Sequence, residues 1–248
     1  FLLELAVARW FIRHGCTPDF LIGHSVGEYA AAVVAGIFEF EDALRVVARR
    51  GALMQSMPKG SMLAVKTDKK AVLDLLPSSL SLAANNAPAL QVISGADDEI
   101  IQIQKQIEFQ GIDTTLLKTS HAFHSSMMEP MLDEFSEYIS RFKLSSPSRK
   151  IYSSLTGKKV NEIELQSSEY WVRQIRESVL FSDALQAVSN DFADHELALI
   201  EVGPGTTLTS LAGMHQLSPV RVNVAAVPGS AIGENTPEEL TSCLNKLW

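Results

Sequence analysis

Apolar and polar positions at the start of the chain repeat with the spacing of helices and of one short strand. Residues 2–13 carry apolar side chains at helical spacing. The run Phe20-Leu21-Ile22 predicts a short buried strand, and residues 26–34, rich in alanine and valine, predict a helix packed close to it. A second helix is expected from residue 41 to about residue 54, because the acidic residues at its start suit a helix N-terminus.

Residues 60–121 have a different pattern, in which short apolar runs alternate with helical segments. The predicted strands are 61–66, 80–84, 90–94 and 112–117, and the predicted helices are 69–76 and 97–110. The sequence Asn85-Asn86-Ala87-Pro88 is typical of a turn between two of these strands. The order strand-helix-strand-strand-helix-strand is typical of a ferredoxin-like unit, so we expect a small subdomain inserted at residues 60–121.

Strands and helices alternate again after this insert. The expected elements are a helix at 125–142, a strand at 150–155, helices at 169–176 and 182–188, a strand at 197–202 and a helix at 207–215. Such alternation predicts an α/β fold with a mostly parallel, α/β-hydrolase-like sheet covered by helices on both faces. This large subdomain would comprise residues 1–59 and 122–248.

Composition argues against several classes of function. The 248 residues are 46% hydrophobic and 20% charged, which is ordinary for a globular domain. A formal net charge of −8 argues against a nucleic-acid-binding surface, and no apolar run is long enough to suggest a membrane span. The two cysteines, Cys16 and Cys243, predict neither a disulfide framework nor a zinc site. We therefore expect no bound metal and a reducing, cytoplasmic location.

Residues 23–27, Gly-His-Ser-Val-Gly, join the predicted strand at 20–22 to the helix that follows. Glycines on either side of a serine at such a junction allow a sharp turn that exposes the serine hydroxyl above the helix N-terminus. We therefore expect Ser25 to be a nucleophile and the backbone N–H of Val26 to stabilise an oxyanion.

A serine nucleophile needs a base, and the chain has six histidines. The side chain of His24 should point away from the hydroxyl of its neighbour Ser25 on a tight turn. His121 and His124 lie in the segment Ser-His-Ala-Phe-His-Ser at 120–125, where a strand ends before a helix and where catalytic residues of α/β folds collect. The pattern alone does not decide between these two histidines.

Four motifs follow one another along the chain: Gly-His-Ser-Val-Gly-Glu-Tyr at 23–29, Arg-Arg-Gly-Ala-Leu-Met at 49–54, His-Ala-Phe-His-Ser at 121–125 and Glu-Val-Gly-Pro-Gly at 201–205. Together they resemble the malonyl-CoA:acyl-carrier-protein transacylases and the acyltransferase domains of polyketide and fatty acid synthases. The motifs span most of the chain, and the insert at 60–121 corresponds to the small subdomain of that family. The resemblance implies an acyltransferase.

The resemblance assigns roles to individual residues. Ser25 corresponds to the acylated nucleophile of the family, and His124 corresponds to its catalytic base. Arg50, which composition alone would place at the surface, corresponds to the arginine that holds the free carboxylate of a malonyl group. A guanidinium suits that contact because it binds a carboxylate through two parallel hydrogen bonds. Gln174 corresponds to a position whose side chain or backbone orients the histidine.

Three further positions are implied in the choice of acyl group. The segment His-Ala-Phe-His at 121–124 resembles the malonyl-selective form of the motif, whereas methylmalonyl-selective relatives usually carry Tyr-Ala-Ser-His. His121 belongs to this pattern, and a bulky Phe123 beside the α-carbon would leave no room for a methyl branch, a preference of about 1–3 kcal/mol. Asn86 is a candidate for the same pocket, although a turn-forming asparagine is an equal alternative.

One feature of the family has no match in the chain. The family begins with a strand that ends in Gly-Gln-Gly, whose glutamine contributes to the oxyanion hole, and this strand would lie well before Phe1. The chain also opens without methionine and within an amphipathic pattern. We therefore expect a fragment of a longer polypeptide whose core is incomplete at its N-terminal side.

The resemblance implies a malonyl-specific acyltransferase that works by a ping-pong route, in a modular synthase rather than alone. Its expected partners are malonyl-CoA, the phosphopantetheine arm of an acyl carrier protein and adjacent synthase domains, and we expect no bound cofactor. A serine hydrolase would share the turn at Ser25, but it would need an Asp or Glu between the nucleophile and the histidine, and it would explain neither Arg50 nor the inserted subdomain. An editing hydrolase would lack Arg50, and an inactive scaffold would have lost Ser25, His124 or Arg50.

Overall fold

The structure is a computed structural model and describes residues 1–217, 220–229 and 236–247. Its helices are α1 (Leu2–Arg13), α2 (Gly27–Val34), α3 (Phe40–Ser56), α4 (Lys69–Leu75), α5 (Asp97–Phe109), α6 (Leu132–Ile139), α7 (Glu162–Leu165), α8 (Ser168–Arg176), α9 (Phe181–Asp191), α10 (Thr207–Gly213) and α11 (Thr236–Asn245). Its strands are β1 (Phe20–Ile22), β2 (Ser61–Val65), β3 (Ser81–Ala87), β4 (Leu90–Gly95), β5 (Thr114–Leu116), β6 (Lys150–Ser153), β7 (Lys158–Lys159), β8 (Leu197–Pro204) and β9 (Val220–Val227). A 3₁₀ helix, Ser126–Met131, precedes α6. Within these ranges, no helix is long and apolar enough to cross a membrane.

Four strands form an antiparallel sheet in the order β3-β4-β2-β5. Helices α4 and α5 pack against it, and the apolar cluster between them includes Leu63, Ile93 and Ile100, whose side chains are fully buried. The chain order is strand-helix-strand-strand-helix-strand, and β3 lies at one edge of the sheet.

The strand pairing is mixed, and the predicted mostly parallel sheet is wrong. β1 pairs with β6 and β8 pairs with β9 in parallel, whereas β6 pairs with β7 and all strands between β2 and β5 pair in antiparallel fashion. The physical reason is the length of the connections. Residues 154–157 alone join β6 to β7, and a parallel partner needs a crossover of about a dozen residues or more.

The chain has the α/β character expected from the sequence, with helices packed on strands throughout. The division into a large subdomain at 1–59 and 122–248 and a small one at 60–121 stays a prediction. Residues 218–219, 230–235 and 248 of the predicted large subdomain lie outside the described residues.

Two predictions of local structure differ from the observed elements. The expected turn at 85–88 is shorter and lies later in the chain: β3 continues through Asn85 and Ala87, which pair with Gln91 and Leu90 of β4, and Pro88 and Ala89 form the turn. The expected helix at 125–142 is divided into the 3₁₀ helix and α6. Pro130 lies in the first of these, and its ring and missing N–H oppose a continuous α-helix.

Helices α2 and α8 are packed together by aromatic side chains. The ring of Tyr29 in α2 lies 4.8 Å from that of Trp171 in α8, and Phe38 packs against Trp171 at 5.0 Å. The indole N–H of Trp171 donates to the carbonyl oxygen of Leu165 at 3.1 Å. This packing brings the turn just before α2, which contains Ser25, beside α8.

A cleft of about 840 Å³ lies between β1 and β8. Residues of both strands and of α1 line it, and it extends to Gly23, His24 and Gly27. The back of the turn that precedes α2 therefore faces open space.

Candidate active site

Ser25 lies on the sharp turn between β1 and α2, which we call the nucleophile turn (residues 23–27). Its φ angle is 50°, a left-handed conformation that is rare for residues other than glycine. Gly23 makes this turn feasible, because a Cβ there would lie 2.2 Å from the backbone nitrogen of Glu28. A Cβ on Gly27 would meet nothing within 4 Å. Of the two flanking glycines, therefore, only Gly23 is required by crowding.

Glu28, directly after the nucleophile turn, is a buried carboxylate. It accepts hydrogen bonds from the backbone N–H and the hydroxyl of Ser154 and, at 3.0 Å, from the hydroxyl of Tyr170. Burial raises the pKa of Glu28 above its usual range, and these hydrogen bonds oppose the rise. The contacts tie α2 to the end of β6 and to α8, and they hold the nucleophile turn in place.

His124 contacts Ser25, and His121 does not take this position. The Nε2 atom of His124 lies 2.7 Å from Oγ of Ser25, whereas Nδ1 of His121 lies 2.8 Å from Oγ of Ser120. We refer to Ser25 and His124 as the catalytic pair. The φ angle of His124 is 56°, and the two members of the pair are the only non-glycine residues with positive φ in the described part of the chain.

The other ring nitrogen of His124 is held by a backbone carbonyl. Nδ1 lies 3.0 Å from the carbonyl oxygen of Glu177. Nδ1 therefore carries the proton, and Nε2 is free to accept one from Ser25. Glu177 follows the last residue of α8, so this carbonyl lies at the negative end of a helix and stabilises an imidazolium. It does the work of the acid side chain that hydrolases place behind their histidine.

The environment keeps the imidazole of His124 neutral. Its pKa is lowered to about 3, chiefly by burial and then by the charges of Arg50 and His24, while hydrogen bonds to the backbone at Glu177 and Gln174 oppose the shift. A neutral imidazole is the form that accepts the hydroxyl proton of Ser25. Its basicity should rise when an anion balances the charge of Arg50.

Gln174 affects both members of the catalytic pair. Its side-chain Nε2 donates to the carbonyl oxygen of Ser25 at 2.6 Å, and its backbone opposes the lowering of the His124 pKa. The sequence pointed to an effect on the histidine alone. The structure adds a contact that holds the backbone of the nucleophile turn.

Arg50 lies inside the site and not on the surface. Its side chain is 6% exposed, Nη2 lies 3.4 Å from Oγ of Ser25, and the guanidinium carbon lies 5.6 Å from the ring centre of Tyr29. Burial lowers the pKa of Arg50. Among the described residues, no carboxylate forms an ion pair with its guanidinium. Its Nε atom is buried and has no hydrogen-bond partner in the same part of the chain. The guanidinium therefore has donors available for an anion beside Ser25.

The remaining predicted site residues lie around this centre. Phe123 is half-buried between two apolar clusters, and its ring centre lies 6.0 Å from that of His121. The Oδ1 atom of Asn86 lies 2.8 Å from Nε2 of His24. For these three predicted residues, a role in substrate binding stays a prediction.

Val26 lies at the start of α2, where the first N–H groups of a helix have no intrahelical acceptor. Its backbone N–H donates to no backbone carbonyl in the turns and caps of the described chain. That donor adjoins Ser25 at the positive end of a helix, as an oxyanion site requires. The same described residues include no cluster of three or more side chains able to hold a metal ion.

Glu177 is a functional residue that the sequence did not reveal. Its contribution comes from the backbone, so its side-chain type carries no signal. Its position does carry one, because it follows the predicted helix at 169–176, and carbonyls at a helix end are free to accept hydrogen bonds.

The sequence profile of one family, described as "Acyl transferase domain", matches residues 1–239. The chain is 40% identical over 216 residues to the spectinabilin polyketide synthase system protein NorB of Streptomyces orinoci. The matched region covers 86% of this chain and 10% of NorB. It is 38% identical over 240 residues to the phenolphthiocerol synthesis polyketide synthase type I Pks15/1 of Mycobacterium marinum, covering 96% of this chain and 11% of that protein. The chain thus spans about a tenth of the length of these relatives.

A solved structure has the same fold. The crystal structure of the acyl transferase domain of SpnD, in complex with 2-(pent-4-yn-1-yl)malonyl, superposes with a TM-score of 0.93 at 31% identity. The match covers 100% of this chain and 60% of that one.

Proposed function

The chain belongs to the acyl transferase domain family, as found in polyketide synthases, and on that premise we propose that it transfers malonyl groups. It takes the group from malonyl-CoA onto Ser25 and passes it to the phosphopantetheine thiol of an acyl carrier protein. The acyltransferase class follows from the family. The acyl group and its acceptor are proposed here in addition to that class.

One observation carries the choice of acyl group. Arg50 is a buried cation whose Nη2 lies 3.4 Å from the nucleophilic oxygen of Ser25, and its buried Nε has no partner among the described residues. An unpaired buried charge is costly, so the site favours a ligand that supplies the missing anion. A malonyl group carries a carboxylate one carbon beyond its thioester carbonyl, and that spacing suits an ester on Ser25 with the carboxylate on Arg50.

The first half-reaction uses the geometry of the catalytic pair. Nε2 of His124 removes the hydroxyl proton of Ser25 as Oγ attacks the thioester carbonyl. The N–H of Val26 donates to the oxygen on which negative charge develops. The carbon–sulfur bond then breaks, and the proton on His124 passes to the sulfur of the departing CoA.

The second half-reaction is the reverse with a different thiol. The phosphopantetheine thiol gives its proton to Nε2 of His124, and its sulfur attacks the malonyl ester. The bond to Oγ breaks, and Ser25 takes the proton back. CoA and the carrier carry the same pantetheine arm, so one approach path serves both thiols.

The acyl group should be an unbranched malonyl. Phe123 precedes the catalytic histidine and is half-buried, so its ring would crowd a methyl on the α-carbon, a discrimination of about 1–3 kcal/mol. The relative SpnD was solved with a substituted malonyl. That ligand supports a substrate that carries a carboxylate. In this chain, Phe123 and His121 would decide whether a substituent on the α-carbon is accepted.

The proposed reaction implies which cofactors and partners the chain needs. Both half-reactions use side-chain and backbone groups alone, so the proposal needs no bound cofactor and no metal. Its partners are malonyl-CoA, a carrier protein and neighbouring synthase domains, and we expect them in the cytoplasm. Nucleic acid and membrane are not among them.

Transfer from a preloaded protein tests this function. The protein is incubated with labelled malonyl-CoA, freed of CoA, and mixed with a polyketide-synthase carrier protein that bears phosphopantetheine or with the same carrier lacking the arm. We expect the label to pass to the first carrier alone. Release of free malonate at the same rate with either carrier would identify a hydrolase and contradict the proposal.

A further inference from the structure

Edge strand β3 contacts the neighbourhoods of both Ser25 and His124 through two consecutive residues, Asn85 and Asn86. Successive side chains of a strand point to opposite faces of the sheet, so the two asparagines reach different elements. Asn86 accepts at Oδ1 a hydrogen bond from Nε2 of His24, at 2.8 Å, and His24 is the residue before the nucleophile. Asn85 donates from Nδ2 to Oδ2 of Asp183 in α9, at 2.7 Å.

The backbone of β3 also holds the segment between α8 and α9. The N–H of Val179 donates to the carbonyl of Ala83 at 2.9 Å, and the N–H of Asn85 donates to the carbonyl of Val179 at 2.8 Å. Val179 thus lies beside β3 as a short parallel bridge and is 3% exposed. The segment begins with Glu177, whose carbonyl holds the catalytic histidine.

We propose that Asn85 and Asn86, the asparagine pair, are positioning residues that set the distance and angle within the catalytic pair. Asn86 holds the nucleophile turn through His24. Asn85 holds, through Asp183 and its own backbone, the segment that carries the carbonyl behind the catalytic histidine. The inference uses the catalytic pair of the proposed function and does not depend on malonyl selectivity.

Positioning of this kind has a large effect on rate. A displacement of about 1 Å in a reacting geometry costs about 100-fold in rate. Asn85 is 7% exposed and its amide is bonded to Asp183, so it acts through other residues. The expected signature is a lower kcat at an unchanged KM.

Reversal of donor and acceptor tests the link between Asn85 and Asp183. Asn85→Asp sets two carboxylates against each other, and the double variant with Asp183→Asn restores a charge-assisted hydrogen bond in the opposite direction. We expect labelling of Ser25 by a small fluorophosphonate to slow by about tenfold to 100-fold in Asn85→Asp and to recover to within about threefold in the double variant. Asn190→Asp, at an exposed position of α9, is the matched control and should label as wild type does.

The fluorophosphonate reports on the catalytic pair without any CoA thioester, so this result stands apart from the outcome of the malonyl experiments. Acyl-CoA kinetics of the same variants should show the kcat loss with KM within about twofold of wild type. If Asn85→Asp does not fold, Asp183→Ala removes the acceptor without repulsion and should show the same loss. Wild-type labelling in the folded single variant, or a double variant as slow as Asn85→Asp, would overturn the role of Asn85.

The contact of Asn86 is tested by size-matched variants. Asn86→Asp keeps an acceptor oxygen for His24, whereas Asn86→Leu removes it at similar volume. We expect slower Ser25 labelling in the leucine variant and recovery in the aspartate variant. A higher KM for acyl-CoA in Asn86→Leu, with labelling unchanged, would place Asn86 in substrate binding instead and overturn its positioning role.

Discussion

Ser25 and His124 lie 99 residues apart in the chain, yet their side chains meet at 2.7 Å and both have positive φ. A non-glycine residue in this conformation costs about 1–3 kcal/mol and persists only where its surroundings hold it. For Ser25 those surroundings are the anchored carboxylate of Glu28 and the side chain of Gln174 on the Ser25 carbonyl. Ser25 and His124, the proposed nucleophile and base, are therefore both placed at a local cost in stability.

Substitution of the nucleophile by glycine should relieve that cost. Ser25→Gly should be inactive and more resistant to unfolding than Ser25→Ala, by about 1 kcal/mol, because alanine keeps the Cβ that disfavours left-handed backbone. Chemical denaturation followed by circular dichroism measures the difference. Ser140 is the control, because its φ of −63° is an ordinary value for a residue with a side chain. There, the glycine variant should be less stable than the alanine variant. A less stable Ser25→Gly than Ser25→Ala would show that the turn is relaxed.

The two glycines of the nucleophile turn should respond differently to alanine. A Cβ on Gly23 would lie 2.2 Å from backbone of Glu28, whereas one on Gly27 meets open space. Gly23→Ala should lower the free energy of unfolding by more than about 2 kcal/mol, and Gly27→Ala should be within about 0.5 kcal/mol of wild type. Equal effects in a urea titration would show that the crowding at Gly23 is absent.

The reactivity of Ser25 should be insensitive to mild acid. The pKa of His124 is lowered to about 3, largely by burial, so the imidazole stays neutral, and able to accept a proton, well below its usual value of about 6.5. Fluorophosphonate labelling should therefore be flat between about pH 8 and about pH 5. Arg50→Gln removes a charge that lowers the pKa of His124. In this variant, the labelling rate should therefore begin to fall at a higher pH than in wild type. A wild-type midpoint near about pH 6.5 would mean an ordinary, solvated histidine.

A smaller residue at position 123 should widen the choice of acyl group. Phe123→Ser should raise the ratio of methylmalonyl to malonyl loading by about tenfold, the lower end of what one methyl group is worth in a pocket. Intact-protein mass spectrometry after incubation with both acyl-CoAs gives the ratio. Phe142→Ser, at another half-buried phenylalanine, in this case packed against the core beyond α6, is the comparison and should leave the ratio unchanged. An unchanged ratio in Phe123→Ser would place the selectivity elsewhere.

Local sequence patterns predicted most of the regular elements, because each depends on a few neighbouring residues. The helix at 2–13 and the strand at 20–22 coincide with α1 and β1. The predicted turn at 85–88 was misplaced because the asparagines were taken as turn formers, whereas pairing with β4 keeps Asn85 in the strand and leaves the turn to Pro88 and Ala89. Tertiary pairing there overrides local propensity.

The identity of the main site residues could be predicted, but most of the contacts that hold them could not. The turn pattern pointed to Ser25, and the resemblance to the acyltransferase family implied His124 and Arg50; the structure brings these three together. The sequence places Glu177 after a predicted helix, where carbonyls are free to accept hydrogen bonds, but its contact with His124 and the contact of Asn85 with Asp183 could not be predicted from it. Both depend on how β3 packs against the segment between α8 and α9, which is a property of the folded molecule.

We propose above all that Arg50 selects an acyl group ending in a carboxylate for esterification on Ser25. The most direct measurement is the mass of the acylated protein after brief exposure to equal concentrations of malonyl-CoA and acetyl-CoA. Wild type should carry malonyl, Ser25→Ala should carry neither group, and Arg45→Ala, an exposed arginine of the same helix, should match wild type. Arg50→Ala should lower the malonyl-to-acetyl ratio by about tenfold to 100-fold, since a hydrogen bond to a charged group contributes about 1.5–3 kcal/mol. An unchanged ratio in Arg50→Ala would contradict the account.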